Sequence, residues 1–261
     1  MKGFIAAFRV EVLKFRRSLA PGLSFLGLSL GPLVGGVFMI ILKDPAAAKD
    51  MGLISTKASL VGTADWPSLL GLLAQVVAAG GMVMFGFLTA WMFGREFSER
   101  TVRQLLAVPT PRSAIVAAKF SLLVLWCAGL TAWVFLLGAG MGAWVGIPGF
   151  SWALLLASAG QMARTAALTI ILLTFVGLFA SMGRGFLAPL GWVLFSMFLA
   201  QISAVTGWGE WFPWAVAGLV SGAAGAQAAA VGWGSYVLVA LASLAGLAGT
   251  LAWWQQADQI S

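Results

Sequence analysis

The stretch from residue 114 to residue 140 reads AIVAAKFSLLVLWCAGLTAWVFLLGAG and contains one charged residue, Lys119. A transmembrane helix needs about 20 consecutive apolar residues, so this stretch is long enough to cross a bilayer. The whole chain has the same character, because 61% of its 261 residues are hydrophobic and 9% are charged. Soluble domains carry roughly 25% charged residues. The composition therefore predicts an integral membrane protein and excludes a soluble enzyme.

Apolar runs of similar length recur along the chain and predict an all-α integral membrane protein with a single transmembrane domain over residues 1–261. The predicted six spans lie near 19–42, 67–93, 114–140, 164–182, 186–206 and 232–254. Two further segments, 150–163 and 214–231, are apolar but rich in Gly and Ala. They are interpreted as re-entrant or interfacial helices outside the spans.

The distribution of basic residues predicts the orientation, because cytoplasmic loops carry an excess of Lys and Arg. With the N-terminus inside, the cytoplasmic segments contain Lys2, Arg9, Lys14, Arg16, Arg17, Arg95, Arg100, Arg103, Arg112, Lys119 and Arg184. Both termini are therefore predicted to face the cytoplasm of a prokaryotic cell, with the chain in its plasma membrane. The first span begins after a basic segment and is too long for a cleavable signal peptide. The net charge of +7 is explained by topology, so no nucleic-acid partner is expected.

Reactive side chains are scarce. The chain has no His, one Cys (Cys127) and eight acidic residues spread along its length. Most protein metal sites need clustered His, Cys or carboxylate ligands, so no metal or other cofactor is expected in this chain. Cys127 lies in an apolar run and is interpreted as a small buried hydrophobic residue.

Residues 1–18 have the pattern of a basic amphipathic helix. Apolar residues recur at helical spacing at Phe4, Phe8, Val12, Phe15 and Leu19, and basic residues lie among them at Lys2, Arg9, Lys14, Arg16 and Arg17. We expect an interfacial helix whose apolar face enters the headgroup boundary and whose cations meet anionic membrane lipids. The alternative is a simple anchor that only sets topology.

The segment 95–113 is the most charged connection in the chain, and its first part reads REFSERTVRQLLAVPTPR over residues 95–112. Ser98 suits a helix N-cap, and Pro109 would stop a helix after about three turns. Val102, Leu105 and Leu106 would then form a small apolar stripe. Such a helix could dock into a groove on a soluble partner, or it could be a solvated connector.

This segment resembles a known family. The residues that carry the likeness are Arg95-Glu96-Phe97, Arg100-Thr101, Leu105-Leu106, Pro109, Arg112 and Lys119. They resemble the pattern that follows the second span in type 2 ABC transporter permeases. The continuation SAIVAAKF at 113–120, with Trp126-Cys127, is similar to the bacitracin and lantibiotic resistance branch.

The resemblance implies a permease subunit that pairs with a second permease copy, or a related permease, and with two ABC ATP-binding subunits. ATP and Mg would be bound by those partner subunits, since this chain has no phosphate-binding G-x-x-x-x-G-K-[ST] motif. It also implies outward movement of an amphipathic compound, for example a peptide antibiotic or a lipid-like molecule. The residues that would couple to the ATPase are Arg95, Glu96, Ser98, Glu99, Arg100, Thr101, Arg103, Leu105, Leu106, Pro109 and Arg112.

Two ionisable residues outside this segment are candidates for a substrate or gating role. Arg164 would lie at the start of the fourth span, and Glu210 lies among tryptophans after the fifth. Two other functions remain open at this point: an ATP-independent transporter or channel, and a membrane assembly scaffold. An ATP-independent transporter would need polar residues inside its spans, and these are scarce.

Overall fold

The computed structural model describes residues 2–44, 63–99, 101, 110–223 and 231–256. Over these ranges the chain is α-helical and contains no strand, which confirms the all-α prediction. The helices are α1 (Lys2–Arg16), α2 (Ala20–Lys43), α3 (Trp66–Gln75), α4 (Gly81–Ser98), α5 (Arg112–Val145), α6 (Trp152–Ile171), α7 (Leu173–Met182), α8 (Leu187–Val205), α9 (Pro213–Val220) and α10 (Trp233–Gln256).

Within the described residues, six helical segments are long and apolar enough to cross a membrane, as the sequence predicted. In chain order, spans 1 to 6 are Ala20–Lys43, Trp66–Ser98, Arg112–Val145, Trp152–Met182, Leu187–Val205 and Trp233–Gln256. Spans 2 and 3 have 33 and 34 residues. At 1.5 Å per residue each is about 50 Å long, whereas the hydrocarbon core is about 30 Å thick. Both helices therefore extend well beyond the hydrocarbon core.

Span 2 is not a regular helix. Its outer part, α3, is joined to α4 by one π-helical turn, Val76–Gly80, in which the Gly81 N–H donates to the Val76 carbonyl. The start of α3 is capped by Asp65, whose side chain accepts a hydrogen bond of 2.8 Å from the Ser68 N–H. A π turn inserts one residue into a helix and occurs frequently at functional sites.

Span 4 begins at Trp152, not near residue 164, so the prediction of a separate interfacial segment over 150–163 was wrong. Ser151 caps the helix by accepting a hydrogen bond of 3.1 Å from the Leu154 N–H, and no helix-breaking residue follows before Ile171. Gly149, with φ of +87°, makes the turn that precedes the cap. Arg164 consequently lies 12 residues into the span, about 18 Å along its axis.

The N-terminal helix packs differently from the prediction. Its apolar face was expected to enter the lipid, but Phe15 is only 3% exposed and lies against the rings of Trp91 and Trp126, with centroid distances of 5.9 and 5.1 Å. Phe8 and Val12 also pack on the protein core, whereas Phe4 is exposed. Aromatic packing of this kind adds to area burial. The face that is left free carries Ile5, Arg9, Leu13, Arg16 and Arg17.

Close helix contacts hold the spans together. Span 6 approaches span 4 at Gly246, where an added Cβ would lie 2.6 Å from Thr174 Oγ1 and 2.8 Å from the Phe175 nitrogen. Spans 1 and 3 are bridged by two indole hydrogen bonds, from Trp126 to Ser24 at 3.1 Å and from Trp133 to Ser29 at 2.9 Å. Small residues at such contacts are typical of helix packing in membranes.

Candidate functional site

Helix α1, the end of span 2 and the beginning of span 3 meet at one end of the bundle, and charged side chains are buried between them. Glu11 of α1 is 4% exposed, Glu96 of span 2 is 2% exposed and Lys119 of span 3 is 1% exposed. Acidic and basic residues are almost never fully buried unless they are paired. Together with Lys14 these residues form what we call the four-charge cluster.

Lys119 lies at the centre of the four-charge cluster. Its Nζ donates to Glu11 Oε2 at 3.0 Å, to Glu96 Oε1 at 2.9 Å and to the Met92 carbonyl at 3.0 Å. These three acceptors use all three ammonium protons. The Lys119 ammonium also lies 5.7 Å from the centroid of the Phe93 ring. One side chain thus bonds to α1 and to span 2 at the same time.

Lys14 makes the second set of bonds in the cluster. Its Nζ lies 3.1 Å from Glu11 Oε1 and 2.9 Å from Glu96 Oε1. Burial lowers the pKa of Lys14, but the nearby charges of Glu96 and Glu11 outweigh this effect and raise that pKa above its ordinary value. Two carboxylates and two ammonium groups make the cluster electrically neutral, which is what allows it to be buried.

Glu96 has an additional acceptor. Its second oxygen, Oε2, is buried and has no hydrogen-bond partner among the described residues. A buried polar atom without a partner costs free energy, so this position in the cluster would favour one more donor.

The other predicted coupling residues that the structure describes lie at the end of span 2 and the beginning of span 3. Arg95 lies 5.0 Å from the centroid of the Trp91 ring, and its Nε donates to Glu99 at 3.2 Å. Thr101 donates from its backbone N–H to the Glu96 carbonyl at 2.9 Å. Arg112 begins span 3, and its guanidinium donates to the carbonyls of Trp254 and Gln255 at the end of span 6.

Ser98 does not cap a new helix as predicted. It is the last residue of α4, and its hydroxyl donates back to the Gly94 carbonyl at 3.3 Å. Helix α4 continues five residues beyond the predicted end of span 2 because its i to i−4 hydrogen bonds continue outside the hydrocarbon. The predicted coupling residues Arg100, Arg103, Leu105, Leu106 and Pro109 lie outside the described residues.

The two candidate substrate or gating residues are not brought together. Arg164 is exposed in the interior of span 4, where its Nε donates to the Gly160 carbonyl of its own helix at 3.3 Å. Glu210 is half-buried in the 3₁₀ turn Gly209–Trp211 after span 5. They form no ion pair with each other.

Near the middle of span 2, an open cleft of about 610 Å³ lies between the π turn, span 5 and α9. Its walls are mostly small and apolar, and its polar side chains are the amides of Gln75 and Gln201. A cleft of this size and lining has the character of a small-molecule site. Its lining contains no charged residue, so an apolar or amphipathic molecule suits it better than an ion.

Glu11 was not among the site residues predicted from the sequence, and Lys119 had no predicted role in the site. Two signals could have found them. Glu11 is the only acidic residue before Asp44, in an otherwise basic helix, and Lys119 is the only charge between Arg112 and Arg164. A lone charge in an apolar run usually has a partner inside the protein.

Six helical segments able to span a membrane, with the four-charge cluster where α1, span 2 and span 3 meet and an apolar cleft beside the π turn, are typical of a membrane transport subunit. The comparisons give the family. The family model described as "ABC-2 family transporter protein" matches residues 7–200, so the chain belongs to the ABC-2 transporter family and is a multi-pass plasma-membrane protein.

One similar protein comes from the bacitracin resistance branch, which the sequence resembles. The bacitracin transport permease protein BCRB of Bacillus licheniformis is 25% identical over 189 residues, which cover 70% of this chain and 88% of that protein. The predicted resemblance to type 2 ABC permeases of the bacitracin resistance branch is thereby confirmed. No solved structure matches the chain.

Proposed function

We propose that this chain is the membrane half of an exporter that moves an amphipathic compound outward, using ATP hydrolysed by separate ABC subunits. A peptide antibiotic such as bacitracin is the first substrate to test, because the relative is named for its transport. Two ATP-binding subunits and a second permease complete the proposed assembly. The four-charge cluster is the observation that carries the proposal, because it joins the elements on both sides of the segment 100–110.

The cluster supports a mechanical role for α1. Glu96 lies in the last turn of α4 and Lys119 in the second turn of α5, so the intervening segment is held at both ends. Glu11 adds α1 to the same joint through its 3.0 Å bond to Lys119. A force applied to the segment by a moving ATPase would displace α1, span 2 and span 3 together. Packed elements with discrete arrangements transmit such shifts over long distances.

The middle of span 2 supports the substrate part of the proposal. Movement of α4 would be transmitted through the π turn to the 610 Å³ cleft, which that turn lines with Ala78 and Ala79. Gln75 and Gln201 offer amide hydrogen bonds in an otherwise apolar wall. An amphipathic molecule would be held there until the walls shift, and then released to the outer side.

The partner is tested by purifying the tagged chain from its native membrane in mild detergent and identifying the proteins that remain bound by mass spectrometry. We expect a near-equimolar ABC ATP-binding protein. The double variant Leu105→Asp, Leu106→Asp should release it and leave membrane insertion intact. The matched control is Ser113→Asp, which adds a carboxylate at an exposed position just after the proposed coupling residues and suits the first turn of α5.

The outcomes separate the functions considered from the sequence. Loss of the ATP-binding protein in the double variant, with retention in the Ser113 control, would support the coupling role. A chain that purifies alone and transports bacitracin alone in liposomes would instead be an ATP-independent transporter. ATP turnover that is unchanged in the double variant would contradict the assignment of Leu105 and Leu106.

A further inference from the structure

A second cleft, of about 450 Å³, opens between the end of α1 and the end of span 2. Its lining includes Leu13, Lys14, Arg17, Trp91, Arg95 and Glu99. Arg95 is the thirtieth of the 33 residues of span 2, so the cleft lies near the level at which the helix leaves the hydrocarbon. Phospholipid headgroups occupy this level.

The charges around the cleft do not cancel. Lys14 is balanced within the neutral four-charge cluster, and Arg95 is balanced by its 3.2 Å ion pair with Glu99. Arg17 is exposed and forms no ion pair with an acid in the described part of the chain. Arg95 uses its Nε toward Glu99, so its terminal amino groups can still point to another acceptor. The cleft therefore has one excess positive charge and several donors suited to a phosphate group.

Exposed apolar side chains lie at the cleft and follow it along the chain. Leu13, at its edge, is 50% exposed. On α2 and the residue before it, Leu19, Leu23, Leu26 and Leu30 are 80%, 53%, 66% and 62% exposed, at the spacing of a single helix face. A ligand with a phosphate and long hydrocarbon chains would match both surfaces. A soluble anion would match only the positively charged cleft.

We propose that this cleft binds the headgroup of an anionic phospholipid from the leaflet that holds α1. Arg17 and Arg95 donate to the phosphate oxygens, and the acyl chains lie on the exposed leucines that begin at Leu19 and continue along α2. An acidic side chain of a partner protein could use the same cations, but it would leave that leucine face uncovered. The bound lipid would attach α1 to the membrane at the point where α1 joins the four-charge cluster.

The test is native mass spectrometry of the purified chain titrated with phosphatidylglycerol, and with phosphatidylcholine for comparison. We expect discrete phosphatidylglycerol adducts whose affinity falls about fivefold in Arg17→Gln, the effect of removing one basic residue near a membrane surface. The variant Arg9→Gln is the matched control, because Arg9 is exposed on α1, which Arg17 directly follows, but does not line the cleft. Its affinity should match that of the unmodified chain.

A variant with the opposite expected effect separates binding from misfolding. Glu99→Gln removes the acid from the cleft, so affinity for phosphatidylglycerol should rise about fivefold. Equal losses in the Arg17 and Arg9 variants would overturn the proposal in favour of general surface charge. Competition by inorganic phosphate alone would also overturn it, in favour of a free-anion site. Loss of the ATP-binding protein in Arg17→Gln, with lipid binding unchanged, would assign the cleft to a protein partner and overturn it too.

Discussion

The end and the middle of span 2 are built from different interactions. At the α4 end, Glu96 is held by two ammonium groups at 2.9 Å, in a cluster that joins three helices. Around the π turn, span 2 borders an apolar cleft lined by small side chains, with only two amides. Ion pairs fix the geometry of the first region, whereas the second has open volume. Under the proposed function, the first region would transmit movement and the second would accommodate the transported molecule.

The largest effect is expected when the ionic end is broken. Lys119→Met would leave the buried carboxylates of Glu11 and Glu96 with Lys14 as their one remaining cation, and removal of one partner from a buried ion pair costs about 3–5 kcal/mol. We expect a strongly lowered midpoint of thermal unfolding in detergent. The double variant Lys119→Met, Glu96→Gln removes the excess carboxylate and should recover part of the loss. If the losses of stability in Lys119→Met and in Glu96→Gln simply added up in the double variant, the coupling that the distances indicate would be contradicted.

Helix packing gives the next largest effect. Gly246→Ala would place a Cβ 2.6 Å from Thr174 Oγ1 and 2.8 Å from a backbone nitrogen, which cannot move away without shifting span 4. Overpacking of this kind costs about 1–3 kcal/mol. Gly129→Ala is the matched control, because nothing lies within 4 Å of its added Cβ. Both variants are compared by thermal unfolding, and equal midpoints would refute the close contact between spans 4 and 6.

A smaller effect is expected when the cleft is altered. Gln201→Leu keeps the size of the side chain but removes an amide, and one hydrogen bond is worth about 1 kcal/mol, or roughly fivefold in affinity. If the cleft holds the transported molecule, the half-saturating concentration for substrate-stimulated ATP hydrolysis should rise about fivefold. Unfolding should be unchanged, since Gln201 is exposed. An unaltered half-saturating concentration would place the substrate elsewhere.

The smallest effect concerns the cap of span 2. Burial raises the pKa of Asp65, but hydrogen bonds from Thr63 and Ser68 outweigh it, so that pKa lies below its ordinary value. The cap therefore stabilises the fold above the unfolded pKa of about 3.9, and its contribution is lost as pH falls through the lower folded value. Asp65→Ala should cost about 1 kcal/mol at neutral pH and remove this pH dependence. Unfolding midpoints of Asp65→Ala and of Asp65→Asn, measured at pH 7 and pH 3, would check both the cost of losing the cap and the loss of its pH dependence.

Much of the fold could be predicted because a bilayer imposes simple rules. The length and hydropathy of the apolar runs were sufficient to predict six spans, and the charged segment after span 2 was sufficient to predict the family. The start of span 4 was missed because Gly and Ala are abundant both in membrane helices and in irregular segments. Composition could not distinguish the two, whereas the cap at Ser151 depends on local backbone geometry.

The candidate site was predicted less completely, for a physical reason. Glu96 was placed in a coupling loop, but it is buried at the end of a helix, because its partners come from positions 82 and 23 residues away in the chain. Helical periodicity describes which residues share a face and says nothing of which helices meet. The apolar face of α1 was correctly recognised as a face but was assigned to lipid. Phe15 in fact packs on Trp91 and Trp126, which come from other parts of the sequence.

The π turn at Val76–Gly80 has a consequence for how this chain can vary. A residue added to a regular helix turns everything that follows it by about 100° around the helix axis, whereas a π turn takes up one additional residue locally. If a residue were deleted from α4 between the π turn and Glu96, and α3 stayed in place, Phe97 instead of Glu96 would face Lys119. The wall of the cleft and the acid of the four-charge cluster thus share a single phase along one helix. We expect an insertion or deletion in α4 to be tolerated only when a second one, or a change in the π turn, restores that phase before Glu96.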